Sequence, residues 1–167
     1  FGENGLGIYC GWPLYNFADN HDVSRLASQL KDRRHLPLVY TLLYTMPGIP
    51  SLYYGSEWGV SGRKKAGDGE LRRCLELQPD NALTDILRRL SELRHRYPAL
   101  ANAPYCRAEI GNEFLSFFRD NLLVAVNIGD QQVELTAPFG NFTAAPFSAS
   151  VFDADGHRVF CVENFLL

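Results

Sequence analysis

The sequence predicts an α/β fold over residues 1–102 and an all-β fold over residues 103–167. Strand-like and helix-like segments alternate along the first part, which is typical of a parallel α/β architecture. The second part holds only short β-rich runs between turn signals, without a helical period. Hydrophobic residues make up 46% of the 167 residues, so both parts have enough apolar surface for a folded core. We place the boundary between the two parts near residues 101–104.

The predicted order of elements in the first part is strand, helix, strand, helix. Apolar residues predict a strand over 15–18, a short helix over 24–31, a helix buried on all sides over 36–46, a strand over 49–54, a polar loop over 59–69 and an amphipathic helix over 82–97. The buried helix stops where Pro47 and Gly48 prevent its continuation. Asn81 suits the N-cap of the last helix, and Pro98 ends it.

Six short β-rich runs fill the second part, at 108–110, 113–118, 122–127, 132–136, 149–153 and 159–162. Turn-forming pairs lie between some of these runs, at Asp120-Asn121, Gly129-Asp130 and Asp155-Gly156. We therefore expect an antiparallel β-sandwich or meander of about six strands.

The composition argues against nucleic acid and membranes as partners. The net charge is −3, and the basic residues form no stripe. The longest apolar stretch, residues 36–49, is shorter than the roughly 20 residues that span a bilayer. The cysteines stand far apart without metal-ligand spacing, which favours reduced, buried thiols over disulfides or a metal and points to a cytoplasmic location. They are Cys10, Cys74, Cys106 and Cys161.

Polar side chains follow directly after the first predicted strand. The run Asn20-His21-Asp22 places an amide, an imidazole and a carboxylate where ligands bind in parallel α/β folds, at the carboxyl end of a strand. From spacing alone a turn is the more ordinary interpretation, with Ser24 as the cap of the next helix. Asp19 is interpreted as a turn residue at the strand end.

The second predicted strand also ends in a loop that carries an acid and an aromatic residue, Glu57 and Trp58. Aromatic rings beside carboxylates suit sugars, because the apolar face of a pyranose stacks on a ring while its hydroxyl groups bind carboxylates. Tyr53 and Tyr54 are interpreted as packed residues rather than sugar-facing ones.

Two segments resemble one enzyme family. FADNHDVSR, which starts at Phe17, is similar to the region around the seventh barrel strand of the α-amylase superfamily, glycoside hydrolase family 13. GIPSLYYGSE, which starts at Gly48, is similar to the segment of the eighth strand. Both look closest to the branch of cyclomaltodextrinase, neopullulanase and maltogenic amylase. The resemblance implies the last two strand–helix units of a TIM (β/α)8 barrel, followed by an antiparallel β-sandwich domain.

The resemblance also implies roles for particular residues. Asp22 matches the third carboxylate of the family, which stabilises the positive charge of the transition state. His21 matches a residue that hydrogen-bonds the sugar being cleaved, although a ring that merely orients Asp22 is the alternative. Asn20 is expected to shape the site. Asp68 and Arg72 match a pair that holds a neighbouring sugar, with Arg72 binding Asp68 or a hydroxyl group, unless the two form an ordinary loop salt bridge.

The nucleophile and the acid/base of a retaining glycosidase are missing from these segments. In the family they lie on the fourth and fifth strands, so the chain is expected to begin just before the seventh strand and to be inactive alone. The implied substrate is an α-glucan or maltooligosaccharide. No cofactor or metal ligand is evident, although structural calcium is common in relatives. Exposed barrel strands would favour a homodimer.

A non-catalytic carbohydrate-binding module and a scaffold protein are the alternatives to an enzyme. A binding module needs exposed aromatic residues arranged as a platform. The second part is rich in phenylalanine but contains only Tyr105 and no tryptophan, and several phenylalanines alternate as core residues do. A scaffold would be expected to lose the site residues, which are all present.

Overall fold

The computed structural model describes residues 8, 9 and 11–166, so Cys10 lies outside the described residues. The helices are α1 (Leu26–Gln29), α2 (Leu36–Thr45), α3 (Asp68–Arg72) and α4 (Ala82–Arg96). The strands are β1 (Tyr15–Phe17), β2 (Ile49–Ser51), β3 (Tyr105–Ile110), β4 (Phe114–Arg119), β5 (Leu122–Asn127), β6 (Val133–Ala137), β7 (Gly140–Ala144), β8 (Ser148–Phe152) and β9 (Arg158–Val162). Short 3₁₀ helices cover Arg33–His35, Ser56–Trp58, Lys64–Ala66 and Pro98–Ala101.

Strands β1 and β2 pair in parallel, with Tyr15 opposite Ile49. Helix α2 connects them and is buried on nearly every side, as its continuous apolar sequence predicts. Helix α4 buries one stripe of leucine and isoleucine against α2 and begins at a capping box, in which the Asn81 side chain accepts hydrogen bonds from the backbone N–H groups of Leu83 and Thr84. The predicted alternation of strand and helix is therefore present.

The second part forms a five-stranded antiparallel sheet in the order β3-β4-β5-β8-β9, with β6 and β7 as a separate hairpin. Strand β7 was not predicted, because Gly140 and Asn141 give it a weak β signal. The hairpin packs on one face of the sheet, where Leu135 and Ala144 meet Leu123 and Phe152. The helices cover the other face, and strands β5 and β8 are consequently buried along their whole length.

One continuous hydrophobic core joins the helices to the sheet. It runs from Leu38 of α2 and Leu90 of α4 to Val124 of β5 and Val151 of β8. Arg119, at the end of β4, is fully buried in the same region, and its guanidinium donates to the carbonyl groups of Thr45, Leu100 and Ala103. The arginine thereby binds the carboxyl end of α2 to the sheet.

Three predicted elements of the first part are wrong in extent. The helix predicted over 24–31 is only four residues long, because Leu30 is extended. The strand predicted over 49–54 ends at Ser51, and Gly55 then adopts a left-handed conformation (φ 84°) that starts a turn. The loop predicted over 59–69 contains a 3₁₀ helix, Lys64–Ala66, and the beginning of α3.

The cysteines differ from the prediction in their burial. Cys74, Cys106 and Cys161 are free thiols, but the first two are exposed and the third is only partly buried. Among the helices of the described residues, none is both long enough and apolar enough to cross a bilayer.

Candidate active site

The polar cluster after β1 forms a tight turn that presents Asp22 to solvent. The side-chain oxygen of Asn20 accepts hydrogen bonds from the backbone N–H groups of Asp22 (2.8 Å) and Val23 (3.2 Å). An asparagine that binds the backbone two residues ahead fixes a turn. Asn20 therefore shapes the site through the backbone, while the carboxylate of Asp22 stays 60% exposed.

Two cationic or potentially cationic groups flank the Asp22 carboxylate. Its Oδ1 atom lies 3.1 Å from Nη2 of Arg72, and its Oδ2 atom lies 3.1 Å from Nε2 of His21. All three side chains are about half exposed, with fractions of 60%, 49% and 47%. Exposed pairs of this kind add little to stability. The arrangement instead orients the carboxylate, and among the described residues it leaves each oxygen one lone pair without a partner.

Of the two partners expected for Arg72, Asp68 or a sugar hydroxyl group, the structure does not show Asp68. Arg72 reaches across 50 positions to Asp22, and Asp68 binds Nζ of Lys64 at 2.5 Å. Both residues lie on the short helix α3, four positions apart, but their side chains take different partners. The hydrogen bond from Lys64 is the main reason that the pKa of Asp68 is lowered, and the charges of Arg72 and His21 lower it further. The four predicted site residues are thus close enough to interact electrostatically; they are His21, Asp22, Asp68 and Arg72.

Two tyrosines lie next to these four residues. The rings of His21 and Tyr53 lie 6.2 Å apart, and Tyr53 meets the edge of Tyr54 at 4.6 Å. Tyr53 is partly buried, which fits its interpretation as a packed residue, whereas Tyr54 is 41% exposed. The interpretation of Tyr54 as a packed residue is therefore only partly right.

Asp19 is not a simple turn residue, and that prediction is wrong. Its side chain is 3% exposed. One carboxylate oxygen accepts the backbone N–H of Leu26 at 2.6 Å, and the other accepts the hydroxyl of Ser56 at 2.8 Å. The buried carboxylate therefore binds the start of α1 and the 3₁₀ helix after β2, which are the two segments behind the site.

Arg25 is a second buried residue next to the site, and no role was predicted for it from the sequence. It is fully buried, and its guanidinium lies 4.1 Å from the centre of the Tyr53 ring. The sequence carried a usable signal for a role of Arg25, because it stands immediately before the apolar pair Leu26-Ala27. Isolated charges are seldom buried without a specific partner.

No ligand set for a metal was predicted at this site. Among the residues that the structure describes, the group of at least three acidic, imidazole or thiol side chains close enough together to hold a metal ion is Asp153, Asp155 and His157. They lie in the exposed turn between β8 and β9, where Asp153 already accepts the backbone N–H groups of the other two. The site residues after β1 are not part of this group.

Comparison with family models matches residues 12–103 to the catalytic domain of α-amylase. This match covers more than half of the chain, so the chain belongs to the α-amylase family, as the resemblance predicts. The matched region includes Asn20, His21, Asp22, Asp68 and Arg72.

Individual relatives agree with the family model. The maltogenic α-amylase of Bacillus acidopullulyticus is 37% identical over 92 residues, which are 53% of this chain and 15% of that protein. The cyclomaltodextrin glucanotransferase of Geobacillus stearothermophilus is 32% identical over 136 residues, which are 78% of this chain and 18% of that protein. The solved type III pullulan hydrolase of Thermococcus kodakarensis has a TM-score of 0.71 and 28% identity, covering 81% of this chain and 28% of that one. The chain thus spans less than a fifth of each of these two curated relatives.

Proposed function

We propose that this chain is the C-terminal part of a retaining α-glucan hydrolase. The substrates are α-1,4-linked maltooligosaccharides, cyclodextrins or starch, in keeping with the names of the relatives. The observation that carries the proposal is the placement of Asp22. It stands exposed at the carboxyl end of a parallel strand, with His21 and Arg72 on its two oxygens, inside the segment that matches the catalytic domain.

The geometry suits Asp22 to the stabilisation of a positively charged transition state. Glycoside cleavage passes through an oxocarbenium-like state, and a fixed carboxylate beside it lowers the energy of that charge. His21 and Arg72 hold the carboxylate in place, so little reorganisation is needed when the charge develops. The remaining lone pairs of Asp22 can accept hydrogen bonds from sugar hydroxyl groups. A further effect follows from charge: an ionised Asp22 raises the pKa of a neighbouring acid and keeps that acid protonated.

Arg72 and Asp68 are proposed to bind the sugar next to the one that is cleaved. Each has a protein partner in the structure, Asp22 and Lys64 respectively, but each remains about half exposed or more. A guanidinium has five N–H donors and engages only one of them with Asp22 here, so the others are available to hydroxyl groups.

We also propose that β1 and β2 are the seventh and eighth strands of a (β/α)8 barrel, with strands β3–β9 as the following sandwich domain. The exposed apolar side chains of β1 and β2 support this, since Tyr15, Phe17 and Ile49 are 67%, 46% and 52% exposed. In a closed barrel such residues would be covered by further strands and by the barrel interior. The division into domains at residues 102 and 103, the cytoplasmic location and pairing of two isolated copies through these strands stay predictions.

The alternative is a non-catalytic carbohydrate-binding or scaffold module. Its exposed platform would have to come from the aromatic residues of the second part. Phe114 and Phe117 are instead 7% and 0% exposed, and Phe118, Phe139 and Phe142 pack against the cluster between the sheet and the hairpin. The retention of the complete polar cluster around Asp22 favours the enzyme.

The proposal is tested in a longer protein that joins this chain to upstream barrel units. Hydrolysis of maltotriose and β-cyclodextrin is measured as reducing sugar, for the wild type and for Asp22→Asn. We expect Asp22→Asn to lower kcat by about 10²–10³-fold or more while the protein stays folded, because one preorganised charge is lost at the transition state. Asp32→Asn is the control, because the Asp32 carboxylate binds Arg34 and none of the residues around Asp22. Equal activity of the wild type and Asp22→Asn would refute the assigned role.

A further inference from the structure

Arg25 connects the segment that follows β1 to the segment that follows β2. Its Nη1 atom donates to the carbonyl oxygen of Tyr54 at 2.6 Å, and its Nη2 atom donates to the carbonyl oxygen of Leu71 at 3.1 Å. Tyr54 lies in the loop that follows β2, and Leu71 lies on α3, adjacent to Arg72. One guanidinium therefore binds both ends of the segment between residues 54 and 71, and it stands three positions after Asp22.

Further hydrogen bonds attach the same segment to the beginning of α1. The backbone N–H of Arg25 donates to the carbonyl of Gly62 at 2.9 Å. The hydroxyl groups of Ser24 and Ser28 accept the backbone N–H groups of Lys64 and Gly62, at 3.0 and 2.9 Å. These contacts hold the middle of the segment. The carbonyl group next to Arg72, that of Leu71, accepts hydrogen bonds from Arg25 and, at 3.3 Å, from the Tyr53 hydroxyl.

The burial of Arg25 is costly and needs compensation. A charged group without exposure loses its hydration, and no ion pair of Arg25 occurs among the described residues. The carboxylate of Asp19 offsets part of this cost through Ser56. The Ser56 hydroxyl donates to Asp19 and accepts a hydrogen bond from Nη1 of Arg25 at 3.4 Å. The faces of Tyr53 and Tyr54, at 4.1 and 5.1 Å, also favour the cation. The Nε atom still has no partner among the described residues.

We propose that Arg25 is a positioning residue that holds Arg72 against Asp22. Its hydrogen bond to Leu71 fixes the backbone one residue before Arg72, and the contact to Tyr54 anchors the other end of the loop. Helix α3, which carries Asp68 and Arg72, is only five residues long and cannot hold itself in place. The consequence for catalysis rests on the proposed function, whereas the consequence for the loop does not.

The test compares Arg25→Lys with the matched control Arg119→Lys. Both arginines are fully buried and both bind backbone carbonyl groups, but Arg119 lies at the contact between α2 and the sheet. A lysine keeps the charge, yet its single nitrogen cannot span the two carbonyl groups that a guanidinium binds. Thermal unfolding by circular dichroism first establishes a temperature at which all variants are folded.

Amide hydrogen exchange is then measured in the 167-residue chain. We expect Arg25→Lys to speed exchange in residues 60–72 by about tenfold relative to the wild type, with little change in the sheet. Arg119→Lys should leave residues 60–72 unchanged. Equal exchange of residues 60–72 in the two variants would overturn the proposal, because Arg25 would then contribute only to general stability.

The catalytic consequence is measured in the longer protein described above. A variant that is merely less stable has fewer active molecules, so its apparent kcat falls at unchanged KM. We expect Arg25→Lys to raise KM for maltooligosaccharides by about tenfold, because the Arg72 side chain is no longer held where it can bind the sugar. Arg119→Lys should leave KM unchanged. An unchanged KM in Arg25→Lys would overturn the proposal. If the wild type does not cleave α-glucans, the proposed function fails, and the exchange experiment alone decides whether Arg25 positions the loop.

Discussion

Replacing Arg119 by methionine should be among the most destabilising changes in the sheet. The guanidinium donates to the carbonyl groups of Thr45, Leu100 and Ala103 and, at 3.3 Å, to that of Pro104. Three good hydrogen bonds from a charged donor contribute about 1.5–3 kcal/mol each, which together is about 5–9 kcal/mol. Burial offsets part of this, because it lowers the pKa of Arg119 to about 10. That shift corresponds to a cost of about 3 kcal/mol.

The net loss expected for Arg119→Met is therefore roughly 2–6 kcal/mol of the free energy of unfolding. Urea unfolding followed by circular dichroism measures it, with Arg96→Met as the control, since Arg96 is exposed on α4. The control should change the free energy of unfolding by no more than about 0.5 kcal/mol. A loss in Arg119→Met as small as that of the control would show that the carbonyl groups find other partners and that Arg119 does not bind the helices to the sheet.

Three further predictions concern other parts of the molecule. Asn81→Ala should lower the free energy of unfolding by about 1 kcal/mol, because the cap of α4 is lost; an unchanged urea midpoint would contradict this. Hydrogen bonds from Arg34 lower the pKa of Asp32 from 3.8 to about 2, so this carboxylate supports the fold above pH 3.8 and loses its effect as the pH falls through 2. Asp32→Asn should accordingly show less acid destabilisation in thermal unfolding between these pH values, and an identical pH profile would refute the assignment. The isolated chain should sediment as a dimer, and a monomer whose residues 15–18 are protected from exchange would rule out pairing through β1.

Local sequence signals predicted much of the fold. The limits of α4 follow from Asn81, the leucine periodicity and Pro98, all of which act within the helix itself. Most strands of the sheet were predicted for the same reason, since their apolar runs are continuous. Strand β7 was missed because its pairing with β6, rather than the propensity of Gly140 and Asn141, makes it a strand.

The site was predicted only in part, and the reason is distance along the chain. The residues Asn20, His21 and Asp22 stand together in the sequence, so their grouping could be predicted. The contact of Arg72 with Asp22 spans 50 positions, and that of Arg25 with Leu71 spans 46. Such contacts depend on how the loop after β2 folds over α1, which no local pattern determines. Asp68 and Arg72 stand four positions apart on α3, yet their side chains bind Lys64 and Asp22 instead of each other.

Incubation of the purified 167-residue chain with maltotriose and β-cyclodextrin tests the central claim most directly. Reducing sugar is measured for the wild type and for Asp22→Asn, alone and after addition of separately produced upstream barrel units of a family member. We predict no release by the isolated chain, and release after the addition that depends on Asp22. Release by the isolated chain that is lost in Asp22→Asn would contradict the account, because the chain would then hold a complete catalytic set of its own.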